Sequence, residues 1–335
     1  MNILYIGPYR EDTEQGYISR QYLEDILGNY NVTCRPIFTS NSTVQKIQEN
    51  ITDAEKRLQN NYDCCIQHMT LNMLTYSGYF KHLVAIPVLP ISNKINSLSN
   101  IDTLNRFNKI IINNDKEESL LVRSGIKSEI KNIDCPVDIK MAETIDKKFN
   151  FGLHNNNHKF YFIGNYKKDM EAIHKILLAF YVSFRCDITY SLIMLLEGDQ
   201  QDKEHLQKTS TDIKSQLNII SYRNPLNELY IFEPMSEYDK LILHNSCDIF
   251  LNLQYGGSKI QKHYAEFFGN FIIDNENTDT VDIPYGNNPS GYVTEDTIES
   301  ITTNSIINRM RHCAKEKNIK TPNQKSYNKT LSQFI

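Results

Sequence analysis

The chain has 335 residues, 40% of them hydrophobic, and its 36 Lys and Arg against 40 Asp and Glu leave a formal net charge of −4. That length holds two cores at about 100–200 residues per domain, and the mildly acidic balance excludes a protein that engages polyanions over its whole surface. The 7 cysteines, none paired at the spacing of a zinc knuckle, read as buried thiols in a reducing cytoplasm, and no run reaches the roughly 18 apolar residues that cross a membrane.

From the N-terminus, NILYIG (2–7) is a short apolar strand broken by Gly7-Pro8. After a polar loop containing Gly16, the apolar positions Ile18, Tyr22, Leu23, Ile26 and Leu27 fall on one face of a helix. NVTCRPIF (31–38) reads as a second strand whose pairing Pro36 limits, and Val44, Ile47 and Ile51 mark an amphipathic helix over 42–58. YDCCIQH (62–68), HLVAIPVLPI (82–91) and FNKIIIN (107–113) are further strands, and a helix over 117–124 is stopped by Gly125 before a last strand in EIKNIDCPVD (129–138). Cys64 and Cys65, neighbours in a strand, point to opposite faces and cannot share one metal.

Apolar strands alternating with helices imply a parallel sheet covered on both faces, with ligands beyond the carboxyl ends of its strands. The segments that matter are then 7–16 and 68–72. The first is not a G-x-G-x-x-G dinucleotide loop, which disfavours a nicotinamide enzyme. Gly16 and Tyr17 read either as a helix N-terminus that touches a phosphate or sugar, or as plain loop. His68 reads either as a general acid/base or ligand contact, or as a structural residue at a strand end.

Residues 139–158 are polar, rich in Asn and without sustained periodicity, so they read as the interdomain connection. A second alternation follows: KFYFIG (159–164), a helix over 169–184, ITYSLIMLLEG (188–198), a polar helix over 202–216, a strand over 228–232 and a helix over 237–245. The loop GNYKKD places Lys167 and Lys168 at a helix start, where cations oppose the macrodipole unless an anion is present; they read as a pyrophosphate grip or as a solvated pair. Asp248 to Asp274 then reads as a buried strand, a glycine turn, a short helix and a second buried strand. Gly256 and Gly257 would let a phosphate approach the backbone, Ser258 and Lys259 would add a hydroxyl and a cation, and Gly269 would close the helix. Beyond lie a turn and short strand in IPYGNNPSGYV (283–293) and a last helical region from Glu295. The basic run 309–329 reads as a solvated helix face or as a membrane-surface or polyanion contact.

Particular stretches carry a family resemblance. FIGNYKKDMEAIHKILLAF, LIMLLEG, HNSCDIFLNL and AEFFGNFIID resemble the donor domain of GT-B glycosyltransferases of the GT4 type. GPYREDTEQGYISRQYLEDIL is similar to their glycine loop and first helix, and KIIINNDKEESLLVRSGIKSEIKNIDCPVD to the exit of their acceptor domain. The resemblance implies an α/β protein of two doubly wound, Rossmann-like domains facing a cleft. It implies an acceptor-side domain over 1–145, a nucleotide-sugar donor domain over 146–312, and a segment over 313–335 that crosses back to the first. The family carries a spaced pair of glutamates, one for the donor sugar and one for the nucleotide ribose. Alignment on Gly269 places Gly256 and Tyr264 there; a shift of two residues places Ser258 and Glu266, which keeps Glu266 as a candidate ribose ligand.

The activity so implied is transfer of a sugar from a nucleotide-sugar donor to an acceptor hydroxyl, with retention, without a metal and with no cofactor beyond the donor itself. Gly16, Tyr17, Lys167, Lys168, Gly256, Gly257, Ser258 and Lys259 would surround the diphosphate and sugar, and Glu233 and Met235 would flank the base. No catalytic group transfers, since Ser92 and Asn93 stand where the family often has a histidine; His68 is the candidate that remains. The acceptor stays open among a glycan, a lipid, a small molecule or a modified nucleic acid. The alternatives are a catalytically degenerate sugar-nucleotide binder, a glycosyltransferase acting on a hydroxylated base in DNA, and an epimerase of the same fold.

Overall fold

The computed structural model of the chain describes residues 1–39, 46–89, 95, 97–152, 158–185, 187, 189–219, 227–233, 235–253, 258–274, 280–284, 297–315 and 330–335. Expectations for Ser92, Asn93, Gly256, Gly257 and most of the basic C-terminal run lie outside these residues.

In the first half, apolar runs form β1 (Asn2–Gly7), β2 (Asn31–Pro36), β3 (Cys64–Thr70), β4 (His82–Val88), β5 (Lys109–Ile112) and β6 (Glu129–Asn132). Between and after them stand α1 (Glu14–Leu27), α2 (Glu49–Lys56), α3 (Leu98–Leu104), α4 (Asp115–Arg123) and α5 (Ile139–Glu143). The strands make one parallel sheet in the order β2-β1-β3-β4-β5-β6. Every residue of β3 is buried, as a central strand covered on both faces requires. Cys64 faces the core beneath α1 and α2, and Cys65 the core beneath α3 and α4, the opposed placement that strand geometry dictates. The cysteines among the described residues are buried free thiols. Pro87 lies inside β4, but β5 pairs with β4 only at Val84 and Ala85, so the imino nitrogen interrupts no ladder on that side. α2 begins only at Glu49, later than its apolar spacing suggests. The segment expected to be irregular opens with the short α5, because the Asp138 carboxylate accepts the Met141 N–H at 2.9 Å and so caps it.

The second half repeats the plan with β7 (His158–Asn165), α6 (Met170–Phe184), β8 (Tyr190–Glu197), α7 (Gln200–Gln216), β9 (Asn227–Ile231), α8 (Glu237–Ser246), β10 (Ile249–Asn252), α9 (Lys259–Phe267) and β11 (Phe271–Asp274). Its parallel sheet has the order β11-β10-β7-β8-β9. β12 (Thr280–Pro284) and β13 (Thr297–Ile301) form an antiparallel pair, followed by α10 (Thr303–Cys313). This corrects the expectation of helix from Glu295. TIESI carries β-branched residues at three of its five positions and finds a strand partner in TVDIP, so the helix starts only behind the Thr302 cap.

α10 packs on α6 through Ile306, Met310 and Cys313. The end of the chain lies instead on the first half, where a 3₁₀ turn over Leu331–Gln333 sits against α1. Ser332 donates from its N–H and its hydroxyl to the Asp25 carboxylate at 2.8 Å each, Tyr30 donates to the Ser332 carbonyl at 2.9 Å, and Lys109 Nζ to the Phe334 carbonyl at 2.6 Å. The halves also share apolar packing. The core beneath α1 takes in Leu241, Ile242, Ile260 and Tyr264 of the second half, and burial of such side chains contributes about 1.5–3 kcal/mol apiece. Among the described residues no helix is long and apolar enough to cross a membrane.

Candidate functional site

Strand order reverses between β1 and β3 in the first sheet and between β7 and β10 in the second. At such a point neighbouring connections leave toward opposite faces, and the crevice between them is where open α/β sheets bind ligands. α1 starts after β1 and α9 after β10, and the two helix N-termini meet.

α1 owes its position to a tightly tied entry. Thr13 caps the helix by accepting the Gly16 N–H at 3.1 Å. The loop folds so closely over this turn that a Cβ on Gly16 would stand 2.2 Å from the Glu11 carbonyl oxygen, which is why only glycine fits. Arg20 Nη1 fastens the Tyr9 and Glu11 carbonyls at 2.9 and 2.8 Å, and Thr39 donates from N–H and hydroxyl to the buried Glu11 carboxylate.

α9 is fixed at both ends. The Ser258 N–H donates to Asn252 Oδ1 at 2.8 Å, tying the helix start to the end of β10, and the Ser258 hydroxyl caps the Gln261 N–H at 3.1 Å. At the other end Gly269 takes φ +71°, a left-handed conformation open to glycine, and Asn270 N–H returns to the Ala265 carbonyl at 2.8 Å.

Glu14, in the first turn of α1, sets Oε1 against the N-terminus of α9, where it accepts from the Ser258 hydroxyl at 3.1 Å and the Ile260 N–H at 3.2 Å. Lys259 reaches into the first domain and donates to Glu117 Oε1 at 2.5 Å; Glu117 sits in the first turn of α4, where its other oxygen accepts the Asn113 N–H at 3.0 Å. One turn further along α1, the Tyr17 hydroxyl meets the Tyr264 hydroxyl at 2.9 Å, and Tyr264 accepts the Asp138 N–H at 3.2 Å.

Burial raises the Glu14 carboxyl above the usual carboxylate range, against the opposing pull of the Ile260 N–H, Lys259 and the Ser258 hydroxyl. Burial pulls the Lys259 ammonium down, but Glu117, helped by Cys135 and Glu14, outweighs it and leaves the pKa raised. The Tyr17 hydroxyl is pushed by burial to about 12.

His68, near the end of β3, is enclosed close by. Nδ1 bonds the Tyr5 hydroxyl at 2.9 Å, Nε2 bonds Gln15 Oε1 at 3.2 Å, and Tyr5 also meets Ser19 Oγ at 2.9 Å. Burial, with the nearby positive charge of Lys259, lowers its pKa to about 3. The neutral ring then carries its proton on Nε2, because an amide oxygen can only accept. The second domain holds a similar chain: His244 Nδ1 bonds the Tyr161 hydroxyl at 2.6 Å and Nε2 bonds Gln261 Oε1 at 2.8 Å.

The remaining sequence-predicted residues are spread around the second sheet. Lys167 is exposed after β7 and pairs with Asp199 at 3.0 Å and Asp202 at 3.5 Å at the start of α7. The exposed Lys168 directs its N–H to Asn165 Oδ1 at 3.1 Å. Glu233 and Met235 lie between β9 and α8, the first exposed and the second packed under the sheet. Glu266 is near the C-terminal end of α9 and lies 3.6 Å from His263 Nδ1. The structure thus gathers Gly16, Tyr17, Ser258, Lys259 and His68 at one interdomain contact, while Glu233 stands between β9 and α8 and Glu266 near the other end of α9. Sequence reasoning missed Glu14, Glu117 and Asn252. Glu14 and Glu117 occupy first turns of helices, where the macrodipole alone accounts for an acid, so no pattern sets them apart. Among the described residues no group of His, Cys, Asp and Glu is arranged to hold a metal ion.

No family model matches the sequence, and no curated protein is similar to it in sequence. Solved structures are similar in three dimensions. The UDP-GlcNAc 2-epimerase of Neisseria meningitidis, bound to UDP-GlcNAc, superposes with a TM-score of 0.52 at 13% identity over 95% of this chain and 93% of its own. The N-terminal domain of Candida albicans trehalose-6-phosphate phosphatase gives 0.54 at 10% identity over 94% and 89%. The chain has the GT-B fold. A trehalose-6-phosphate synthase studied for glycosyltransfer with retention shares it, with a TM-score of 0.50 at 10% identity over 81% of this chain and 83% of that one.

Proposed function

We propose that the chain is a glycosyltransferase that binds a nucleotide sugar between its two domains and moves the sugar to an acceptor hydroxyl, with retention and without a metal. The observation that carries this reading is the seat at α9: the Ser258 hydroxyl and Ile260 N–H converge on one carboxyl oxygen, Glu14 Oε1, with Lys259 beside them. A leaving diphosphate asks for such a group of preorganised donors and a cation as the glycosidic bond breaks. Lys167 and Lys168, after the strand next to β10, supply further positive charge, and the first turn of α1 with Tyr17 forms the opposite wall. Gly256 and Gly257, which precede Ser258 in sequence, remain candidates for the diphosphate contact, and Glu233, Met235 and Glu266 for the base and ribose. His68 acts by holding Gln15 and the start of α1. Uridine nucleotides are the first donors to try, because the similar epimerase binds UDP-GlcNAc.

A thermal-shift screen of nucleotides and nucleotide sugars at millimolar concentration tests the reading, since a ligand at about 100 times its Kd stabilises by about 2.7 kcal/mol. A donor that raises Tm is then followed by assay of its consumption with and without acceptors. The reading fails when no nucleotide or nucleotide sugar stabilises the chain, and Lys259→Ala is expected to weaken donor binding at least tenfold.

One observation favours a second reading, a binder without turnover. Tyr264 occupies the position of a family carboxylate, and its hydroxyl is committed to Tyr17 and the Asp138 N–H. That reading gives donor stabilisation with no consumption, whereas an epimerase converts the donor with no acceptor present.

A further inference from the structure

We propose that Glu14 is a tethered competitor for the N-terminus of α9, filling in the ligand-free chain the seat that a phosphate group takes on binding. The inference rests on the nucleotide-sugar reading and adds how that site is regulated.

α9 has no acidic residue in its first turn and carries Lys259 there, so its positive end draws an anion from elsewhere. Glu14 supplies one from 246 residues away in the chain, accepting two donors on a single oxygen. The seat suits a carboxylate incompletely: burial raises the Glu14 pKa, so desolvation opposes its charge more than the α9 donors and Lys259 support it. A phosphate, with more oxygens and more charge, gains more from the same donors. Lys259 is committed in the same way, paired with Glu117 of the first domain. Both groups of α9 that would meet a phosphate are therefore held by first-domain carboxylates. Like charges cannot share the seat, so phosphate binding and the contact between α1 and α9 exclude one another. Each weakens the other by the same factor, as linkage requires.

Calorimetric titration of the full chain with inorganic pyrophosphate tests this. Glu14→Gln keeps the shape and the acceptor but removes the charge, and it is expected to bind pyrophosphate about tenfold more tightly than the wild type, equivalent to about 1.4 kcal/mol. Adding Lys259→Met is expected to abolish that gain. Should Glu14→Gln fail to fold, Glu117→Gln, which releases Lys259, is expected to tighten binding in the same direction. In the absence of ligand, the Ile260 amide is expected to exchange at least tenfold faster in Glu14→Ala, with exchange in β7 and β8 unchanged. If the wild type binds pyrophosphate and neither neutral variant binds it more tightly, the competitor is refuted while the nucleotide-sugar reading stands. Binding of pyrophosphate by none of these proteins overturns both.

Discussion

Each domain buries a histidine between a tyrosine hydroxyl at Nδ1 and a glutamine oxygen at Nε2: Tyr5, His68 and Gln15 in the first, Tyr161, His244 and Gln261 in the second. In both, the glutamine lies in the first turn of the helix whose N-terminus forms the interdomain contact, so the histidine steadies that helix against its sheet. The chains differ in what else the tyrosine touches. Tyr5 also meets the Ser19 hydroxyl at 2.9 Å, which can donate or accept, whereas Tyr161 also receives the Asn270 amide N–H at 2.6 Å, which can only donate. Among the described residues, the same constellation therefore has a fallback in one domain that the other lacks.

The largest expected effect breaks the stricter chain. His244→Ala leaves a cavity and strands the Tyr161 O–H, and urea denaturation is expected to show a loss of about 4 kcal/mol. His68→Ala leaves Tyr5 its serine and is expected to cost about 2 kcal/mol in the same measurement; equal losses would dissolve the contrast. pH sharpens it further. His68 has a folded pKa of about 3, below the ordinary value of 6.5, so the unfolded state takes up a proton that the folded state refuses. Its contribution is complete above about pH 6.5 and is lost as pH falls toward about 3, at up to about 1.4 kcal/mol per pH unit, and His68→Gln is expected to flatten that part of the stability curve. Tyr264→Phe, which removes the hydroxyl between Tyr17 and Asp138 but keeps the ring, is expected to cost about 1 kcal/mol by denaturation. Lys167→Ala closes the series: its exposed side chain should leave the melting temperature unchanged and lower only the affinity for a donor.

Much of the fold was legible because its strands are continuous apolar runs and its helices have periodic faces with ends marked by Ser258 and Gly269. The opposed faces of Cys64 and Cys65 followed from strand geometry alone. β13 was not legible, since Ile298 and Ile301 stand three apart, a helical spacing, and five such residues become a strand only when a partner closes the pair. The interdomain contact was half legible. Ser258, Lys259, Gly16 and Tyr17 stand at turn-to-helix junctions, where sequence speaks locally. Glu14 does not, because its partner is 246 residues away and an acid in a first turn is ordinary on any helix. Tyr264 was visible only as a departure from a family position; its bond to Tyr17 arises from how the domains meet.

α1 is gripped at both ends, by α9 at Glu14 and Tyr17 and by the chain terminus at Asp25. Eleven residues at roughly 1.5 Å each put those grips about 16 Å apart on one stiff rod. A tilt that frees Glu14 has to be felt at Asp25, and faster exchange of the Ser332 amide on ligand binding would register it. Such a rise would make residues 330–335 the far arm of a lever, reporting on a contact they never touch.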